Sequence, residues 1–305
     1  MLRLLPPPVR GAIAALLLAL NTVFWSLPLF ACALVKLALP FDAVRRALDP
    51  VLNTLASCWI ACNSGWMRLL HRTQWDVQGL PAAHRTGWFL VTCNHQSGAD
   101  IFVLQHLLNR RVPLLKFYLK RELLYVPVIG LAWWALDFPF MKRQGKQALR
   151  KRAGRRRDDQ AEALKACRKF ALVPTSVMSF AEGTRYSERK HAAQASPYHG
   201  LLKPKAGALA LTMQALGDQL EAVLDVTIAY APRTPGFWDF LCGRFDRVAV
   251  DIRELPVPAE FCVPGYDADP AFRARFQQWL VQLWRDKEAR LGELIASLRR
   301  PAHGS

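Results

Sequence analysis

Hydrophobic residues near the start of the chain predict a membrane-associated helix. The run from Gly11 to Val35 carries no charged side chain and is flanked by Arg10 and Lys36. As a helix, this run is long enough to cross the hydrocarbon core of a bilayer. Pro28 lies within it, which leaves a re-entrant helical hairpin open as the alternative to a single span. The run is too long for the apolar region of a signal peptide, so we expect a retained anchor.

A second uncharged stretch, from Pro50 to Met67, contains more polar residues than the first. This mixture predicts a helix in the membrane interface or packed against the core, rather than a second span. The charged segment between them, Pro40 to Asp49, is predicted to be the joint between the anchor and the main domain. We therefore expect residues 1–70 to form the anchor and interfacial helices. Residues 71–305 would form the main domain, which ends in an amphipathic helix.

From Trp75 onward, short apolar runs rich in β-branched residues alternate with helical patterns. Strands are predicted at 75–78, 88–92, 114–119, 173–180, 223–230 and 248–252. Helices are predicted at 101–108, in the segment that follows Leu119 and ends at Leu124, and from 270 to about 299. Aromatic and leucine side chains recur at helical spacing in the last helix, which favours core packing over membrane contact. The alternation predicts an α/β fold with a mainly parallel central sheet flanked by helices.

The charge and the apolar content together narrow the class of partner. The net charge is +17, while 52% of the residues are hydrophobic. Basic residues are concentrated between Lys142 and Arg157, directly after the apolar segment from Val126 to Met141. A basic run beside an apolar patch is typical of docking on anionic lipid, and a solvated loop is the alternative. Nucleic acid is the competing partner, but the chain has no recognised nucleic-acid motif, so we predict membrane lipids instead.

The seven cysteines are scattered, without a CxxC pair or another spacing typical of metal ligands. This distribution argues against a disulfide framework and against a zinc site. We therefore expect reduced, mostly buried thiols, as in a reducing compartment. We also expect no metal ion and no resident cofactor.

The most informative polar segment joins a predicted strand to a predicted helix. It runs from Asn94 to Asp100 and places His95 five residues before Asp100. A histidine on such a turn can act as a general base, and a nearby carboxylate can hold its reactive tautomer. On one continuous helix the two side chains would point about 140° apart. We therefore expect His95 on the turn and Asp100 in the first turn of the helix, where the helix dipole favours its charge.

Three further segments have compositions suited to an anion site. Glu182–Arg185 ends an apolar run and offers close backbone approach, a hydroxyl donor and a forked cation. Gly130–Arg143 is an apolar stretch that ends in a cation, and Lys203–Gly207 opens a helix whose first N–H groups can bind an anion. Taken singly, these segments could also be a surface turn, a snorkelling cation and an ordinary helix start.

In this order the four segments resemble the motifs of the glycerolipid acyltransferase family, whose type member is 1-acyl-sn-glycerol-3-phosphate acyltransferase (PlsC). The matching residues are Asn94, His95 and Asp100 in the first segment, Arg143 in the second, Phe180, Glu182, Gly183, Thr184 and Arg185 in the third, and Lys205 with Gly207 in the fourth. The family's last motif usually has a proline where this chain has Asp225. Pro139–Arg143 and Phe276–Leu280 look like the YihG-type bacterial inner-membrane branch.

The resemblance implies transfer of a fatty acyl group from acyl-CoA or acyl-acyl carrier protein, as co-substrate, to the free hydroxyl of lysophosphatidic acid. It implies that His95 is the general base and that Asp100 supports it. The implied substrate-binding residues are Asn94, Arg143, Glu182, Gly183, Thr184, Arg185 and Lys205. The likeness to the inner-membrane branch implies the inner membrane, and the basic charge that follows the apolar run predicts the catalytic domain on the cytoplasmic side. Another lysophospholipid acceptor, and a basic protein that only binds anionic membranes, remain alternatives, and the sequence does not indicate an oligomeric state.

Overall fold

The structure is a computed structural model that describes residues 2–141, 169–263, 265–266 and 269–299. Its strands are β1 (Gln74–Gln78), β2 (Trp88–Cys93), β3 (Leu115–Phe117), β4 (Leu119–Lys120), β5 (Phe140–Met141), β6 (Ser176–Ser179), β7 (Leu220–Ala231) and β8 (Arg247–Leu255). Two expectations from the sequence, the basic run from Lys142 to Arg157 and the substrate-binding role of Arg143, lie outside the described residues.

Within the described residues, six strands form one sheet in the order β1-β8-β7-β2-β6-β3. β7 and β8 pair antiparallel, and the other neighbouring strands pair parallel. The predicted mainly parallel sheet is therefore confirmed. Because β2, β6 and β7 run in the same direction, the residues that follow β2 and β6 meet at one edge of the sheet, beside the end of β7. That edge is where open α/β sheets bind their ligands.

Helices cover both faces of the sheet. They are α1 (Pro7–Ala38), α2 (Asp42–Leu70), α3 (Asp100–Leu108), α4 (Ile129–Ala135), α5 (Glu188–Gln194), α6 (Gly207–Leu216), α7 (Phe237–Leu241) and α8 (Pro270–Arg299). Short 3-10 helices lie at Leu2–Leu4, Arg121–Tyr125, Lys169–Leu172, Gly217–Gln219 and Ala259–Phe261. In α8 most of the predicted stripe is buried: Phe276, Leu280 and Trp284 are fully buried, and Trp279 is partly buried. Core packing, rather than membrane contact, therefore explains that stripe.

The first two helices form an antiparallel hairpin. α1 is one continuous helix through Pro28, so the uncharged run does not itself fold back as a re-entrant hairpin. Near one end of the pair, Arg10 Nη1 donates to the Leu70 carbonyl oxygen at 3.3 Å. Near the other end, Lys36 Nζ lies 2.7 Å from Asp49 Oδ1.

One face of α1 remains unburied along its length. The helix has a stretch with a mean hydropathy of 1.9, and by length and composition it could cross a membrane. It nevertheless contacts α2, α4 and α7, so part of its surface packs on the protein. Large apolar side chains on the other face are exposed, including Leu16, Leu20, Phe24, Leu27 and Leu34. This apolar surface suggests association with a membrane.

The predicted joint from Pro40 to Asp49 is wrong in its extent, because α2 begins at Asp42. The charged residues that suggested a linker are the polar side of a helix. Arg45 Nη1 reaches Asp137 Oδ2 at 3.4 Å, and Asp49 pairs with α1. Their charges therefore hold α2 against neighbouring elements.

The strand predicted at 114–119 divides into two strands. β3 pairs with β6 in the main sheet, whereas β4 pairs with β5 in a separate two-stranded ladder. The break falls at Tyr118, whose hydroxyl lies 2.6 Å from Thr212 Oγ1 on α6. Because β3 and β4 have different partner strands, the chain leaves the main sheet at this point.

Candidate active site

The turn between β2 and α3 carries the histidine–aspartate pair. His95 lies two residues beyond the end of β2, and Asp100 is the first residue of α3, as the spacing predicts. Asp100 is fully buried, and its Oδ2 lies 2.9 Å from His95 Nδ1. The same oxygen accepts hydrogen bonds from the N–H groups of Gln96 and Ser97, at 2.7 and 2.9 Å. A proton on Nδ1 would donate to this carboxylate and would leave His95 Nε2 as the ring nitrogen with a free lone pair.

A tyrosine that the sequence motifs do not point to completes the surroundings of Asp100. Tyr230, near the end of β7, donates from its hydroxyl to Asp100 Oδ1 at 2.7 Å. Burial, followed by the neighbouring Asp100 charge, raises the pKa of Tyr230 well above its usual value, so the phenol stays protonated and remains a donor. The sequence signal is only a tyrosine at the end of a predicted strand. Its partner follows from β7 lying next to β2, which the sequence does not reveal.

Aromatic side chains hold the His95 ring in place. Phe180 follows β6, and its ring stacks on the imidazole with centroids 3.8 Å apart and planes 14° apart. Phe117 lies 6.2 Å from Phe180, and Phe138 lies 6.4 Å from Phe117, centroid to centroid. Phe138 also lines an apolar cleft between α1, α2 and α4. The row of rings therefore connects His95 with that cleft.

Glu182 joins the loop after β6 to the histidine turn. It is fully buried, and its Oε1 accepts a hydrogen bond from the His95 N–H at 3.1 Å. Its Oε2 accepts one from the Leu202 N–H, also at 3.1 Å. The Tyr186 N–H donates to the His95 carbonyl oxygen at 2.7 Å. Glu182 thus shapes the turn from behind and does not expose its carboxyl group.

Two cations flank the exposed part of this loop. Gly183 has a φ of +68°, which favours glycine, and a Cβ there would lie 3.1 Å from Lys205 Nζ, so the lysine lies directly against this glycine. Arg185 is exposed, and its Nη1 lies 3.7 Å from where a Cβ on Gly98 would be. Gly98 belongs to the histidine turn. The Arg185 guanidinium therefore lies beside the His95–Asp100 pair.

Burial raises the pKa of Glu182 to about 8. The hydrogen bonds from the N–H groups of His95 and Leu202 and the positive charge of Lys287 oppose this rise, whereas the Asp100 charge adds to it. Glu182 is therefore largely protonated at neutral pH. In that form it does not neutralise the cations on the exposed side of the loop.

The two residues before His95 are buried. The Asn94 side chain donates to the Ile228 carbonyl oxygen at 2.9 Å and accepts from the Ile228 N–H at 2.8 Å, so it ties the end of β2 to β7. Its amide therefore positions the turn, and the substrate-binding role expected of Asn94 stays a prediction. Cys93 is fully buried, and burial raises the pKa of its thiol well above the usual value. A protonated, inaccessible thiol argues against an acyl-cysteine intermediate.

Asp225, which stands where the family usually has proline, belongs to a buried charge cluster. Lys287 Nζ on α8 lies 2.5 Å from Asp225 Oδ1, and both side chains are fully buried. Arg253 Nη2 on β8 lies 2.6 Å from Asp225 Oδ2. Lys287 also donates to the Val226 carbonyl oxygen at 2.6 Å. The carboxylate is therefore paired on two sides, and it connects β7 with α8 and β8.

At the sheet edge formed by the ends of β2, β6 and β7, the structure brings together most of the residues expected from the sequence. These are His95, Asp100, Glu182, Gly183, Thr184, Arg185 and Lys205, with Asn94 behind them. The described residues include no group of three or more His, Cys, Asp or Glu side chains that could hold a metal ion.

Comparison with known proteins bears on the same part of the chain. Residues 74–231, just over half of the sequence, match the model of the family described as acyltransferase. The chain belongs to the acyltransferase family. The matched range begins at β1 and ends with β7, so it includes both the histidine turn and the Glu182–Arg185 loop. Membership of the YihG-type branch stays a prediction.

Named relatives of this acyltransferase-family chain cover part of it. The 1-acyl-sn-glycerol-3-phosphate acyltransferase gamma of Mus musculus is 27% identical over 187 residues, which are 57% of this chain and 44% of the mouse protein. The corresponding delta protein of Mus musculus is 27% identical over 214 residues, 66% of this chain and 51% of that protein. This chain therefore spans about half the length of these relatives.

One solved structure is similar over most of the chain. It is the 1-acyl-sn-glycerophosphate (LPA) acyltransferase, PlsC, from Thermotoga maritima, with a TM-score of 0.49 and 16% sequence identity. The alignment covers 93% of this chain and 97% of that one.

Proposed function

We propose that this protein transfers a fatty acyl group from a thioester to the free hydroxyl of lysophosphatidic acid, giving phosphatidic acid. The observation that carries the proposal is the His95–Asp100 pair beside the exposed Arg185, in a chain of the acyltransferase family. The names of the mouse relatives support this acceptor. Another lysophospholipid, or a polar lipid with a free hydroxyl, is the alternative.

The proposed reaction needs one proton carrier. His95 Nε2 removes the proton from the acceptor hydroxyl while the hydroxyl oxygen attacks the carbonyl carbon of the thioester. The carbon–sulfur bond then breaks, and the sulfur leaves as a thiol with the proton from the imidazolium. Asp100 holds the ring and stabilises the imidazolium, while Tyr230 and two backbone N–H groups hold Asp100. Acyl-CoA or acyl-acyl carrier protein would serve as the donor.

The cations beside the turn favour an acceptor that carries a phosphate. A guanidinium group can bind two phosphate oxygens at once, and Arg185 is exposed next to the histidine turn. Lys205 lies on the other side of Gly183 and adds a second positive charge. Arg143 is a third candidate from the family resemblance, and it lies outside the described residues.

The apolar cleft between α1, α2 and α4 is suited to an acyl chain. Its lining includes Leu29, Trp59, Ile60, Ala132 and Trp133, with few polar groups. A saturated chain has no hydrogen-bonding groups, so an apolar lining is the environment it prefers. The row of aromatic rings that ends at His95 extends from this cleft, which supports a path from the acyl chain to the reacting carbonyl.

The exposed face of α1 supports a membrane location for this chemistry. Both the acceptor and the product would be membrane lipids, and the helix presents a continuous apolar surface. We propose the inner membrane, with the site on the cytoplasmic side, where thioester donors are made. Anionic lipids would then be partners of the basic chain.

A donor and acceptor screen tests the proposal directly. The full-length protein, purified in detergent, is incubated with oleoyl-CoA or acyl-acyl carrier protein and with lysophosphatidic acid, other lysophospholipids or monoacylglycerol. Products are identified by mass spectrometry. We expect phosphatidic acid as the main product, and the activity of cell extracts should sediment with the membranes.

Two outcomes of the screen would contradict the proposal. A preference for monoacylglycerol, which lacks the phosphate, over every phosphate-bearing acceptor would contradict the assigned acceptor class. No acyl transfer to any acceptor, together with intact binding to anionic vesicles, would instead favour a protein that only binds membranes.

A further inference from the structure

Lys190 lies outside every motif considered above, yet its side chain reaches into the loop of Thr184 and Arg185. Its Nζ lies 2.9 Å from Thr184 Oγ1 and 2.8 Å from the Arg185 carbonyl oxygen. Lys190 is in the first turn of α5, which Ser187 caps by accepting the Lys190 N–H. One cation therefore contacts Arg185, to which the proposed function assigns the acceptor phosphate, and Thr184, which the family resemblance implies to be substrate-binding.

The chemistry of these groups fixes the direction of one hydrogen bond. A lysine ammonium group can only donate, so Thr184 Oγ1 is the acceptor in its contact with Lys190. The threonine has one hydroxyl proton, which is then left to donate elsewhere. Among the hydrogen bonds of the described residues, none uses that proton. The hydroxyl is thus available as a donor, and the adjacent ammonium charge strengthens it.

Stability of α5 does not account for a lysine at this place. The first turn of a helix carries partial positive charge, and cations are disfavoured there. The acidic residue that suits this turn, Glu188, is already present at the first position of α5. Arg189 is in the same turn and is exposed, so it already supplies a positive charge to the solvent. Solubility therefore does not require another basic residue at position 190. The position of Lys190 is explained instead by the loop it contacts.

We propose that Lys190 is a positioning residue for the phosphate of the acceptor. It orients the Thr184 hydroxyl as a donor and holds the Arg185 backbone, and its charge adds to the attraction for the anion. The proposal rests on the proposed function, because it takes residues 184 and 185 to bind the phosphate. It assigns Lys190 no part in the proton transfer at His95.

A double-mutant cycle measured by ligand binding tests this role. The affinity for lysophosphatidic acid is measured by titration calorimetry in detergent for the wild type, Lys190→Met, Thr184→Val and the double variant. Loss of a charge-assisted hydrogen bond should weaken the binding of each single variant about 10-fold or more. Because part of the effect of Lys190 passes through the Thr184 hydroxyl, the loss of affinity in the double variant should be clearly smaller than the product of the two single losses.

Further variants separate positioning from other effects. Arg189→Met removes the same charge from the same turn and should change the affinity less than about 2-fold, as exposed cations do. Lys190→Arg keeps a donor and should recover much of the lost affinity. Affinity for monoacylglycerol, which has no phosphate, should not change in any of these variants.

The proposal is overturned if Lys190→Met behaves like Arg189→Met, or if the losses in the double variant simply multiply. A uniform loss of affinity for both lipids would also overturn it, since that result indicates a general structural role. Turnover is assayed separately in the same samples. If the double-mutant cycle gives the expected affinities but no acyl transfer occurs, the proposed reaction is contradicted and the role of Lys190 stands.

Discussion

At the scale of single residues, every group around His95 is held by another part of the fold. Asp100 fixes the ring nitrogen, Phe180 stacks on the ring face, and Glu182 accepts the backbone N–H. A base held in this way loses little freedom when the acceptor arrives, which is the basis of catalysis by preorganised groups. The buried charge of Asp100 is accompanied by three hydrogen-bond donors besides the histidine, so it does not remain unpaired.

Glu182 gives a pH-dependent prediction at this scale. Burial raises the pKa of Glu182 from 4.5 to about 8 in the fold. Between these values the folded protein binds a proton that the unfolded chain has released, so its contribution to the free energy of unfolding falls as the pH rises. Glu182→Gln cannot ionise, and it should remove this part of the pH dependence.

The measurement is chemical denaturation of wild type and Glu182→Gln in detergent between about pH 5 and pH 9. Subtracting one curve from the other cancels the titration of all other groups. We expect the variant to be the less stable protein at pH 5, because an amide can accept only one of the two backbone N–H groups, and the difference should narrow toward pH 9. A difference that does not depend on pH would show that Glu182 is ionised in the fold.

Single residues differ in how far the sequence could predict them. His95 and Asp100 lie where their spacing and the strand–turn–helix pattern put them, because those constraints are local. Tyr230 could not be predicted as a partner of Asp100, since the contact depends on β7 lying beside β2. The contacts of Lys190 could not be predicted for a similar reason, because they depend on how the loop before α5 folds back.

At the scale of elements, periodicity predicted most strands and helices to within a few residues. The errors came where tertiary contacts decided the outcome. Charged residues near Arg45 suggested a linker, but they pair with Asp137 and with α1 and form part of α2. The strand predicted at 114–119 divides because β4 finds a different partner, β5.

The apolar cleft gives a prediction at the element scale. Ala132 on α4 is a small buried residue in its lining, so Ala132→Phe should fill the space that a long acyl chain would use. We expect the ratio of kcat/KM for long donors to that for short donors to fall about 10-fold or more, because each excluded CH₂ group loses roughly 0.8 kcal/mol of burial. The assay compares acyl-CoA donors of increasing length.

Ala135→Phe is the matched control for this prediction. Ala135 is buried on the same helix but does not line the cleft. Both variants overpack α4 and should lose stability, but only the change at Ala132 should alter the ratio. The same change of ratio in both variants would contradict the assignment of the cleft to the acyl chain.

At the scale of the whole molecule, the helical hairpin and the sheet are one structure. Leu52, Trp66 and Leu70 of α2 pack in the same hydrophobic cluster as Phe89 and Val103 of the main domain. The exposed apolar face of α1 is therefore fixed relative to the sheet edge that carries His95. This arrangement would present the site to the membrane in one orientation, which the separate motifs along the sequence could not predict.

The central claim is that His95 is the base of an acyl transfer to a lipid hydroxyl. The most direct measurement is steady-state kinetics of His95→Ala with lysophosphatidic acid and oleoyl-CoA, with His199→Ala as the control for an exposed histidine. Loss of a general base should lower kcat by about 10²–10⁴-fold with little change in KM, while the control keeps wild-type kinetics. Turnover by His95→Ala at the wild-type rate would contradict the account.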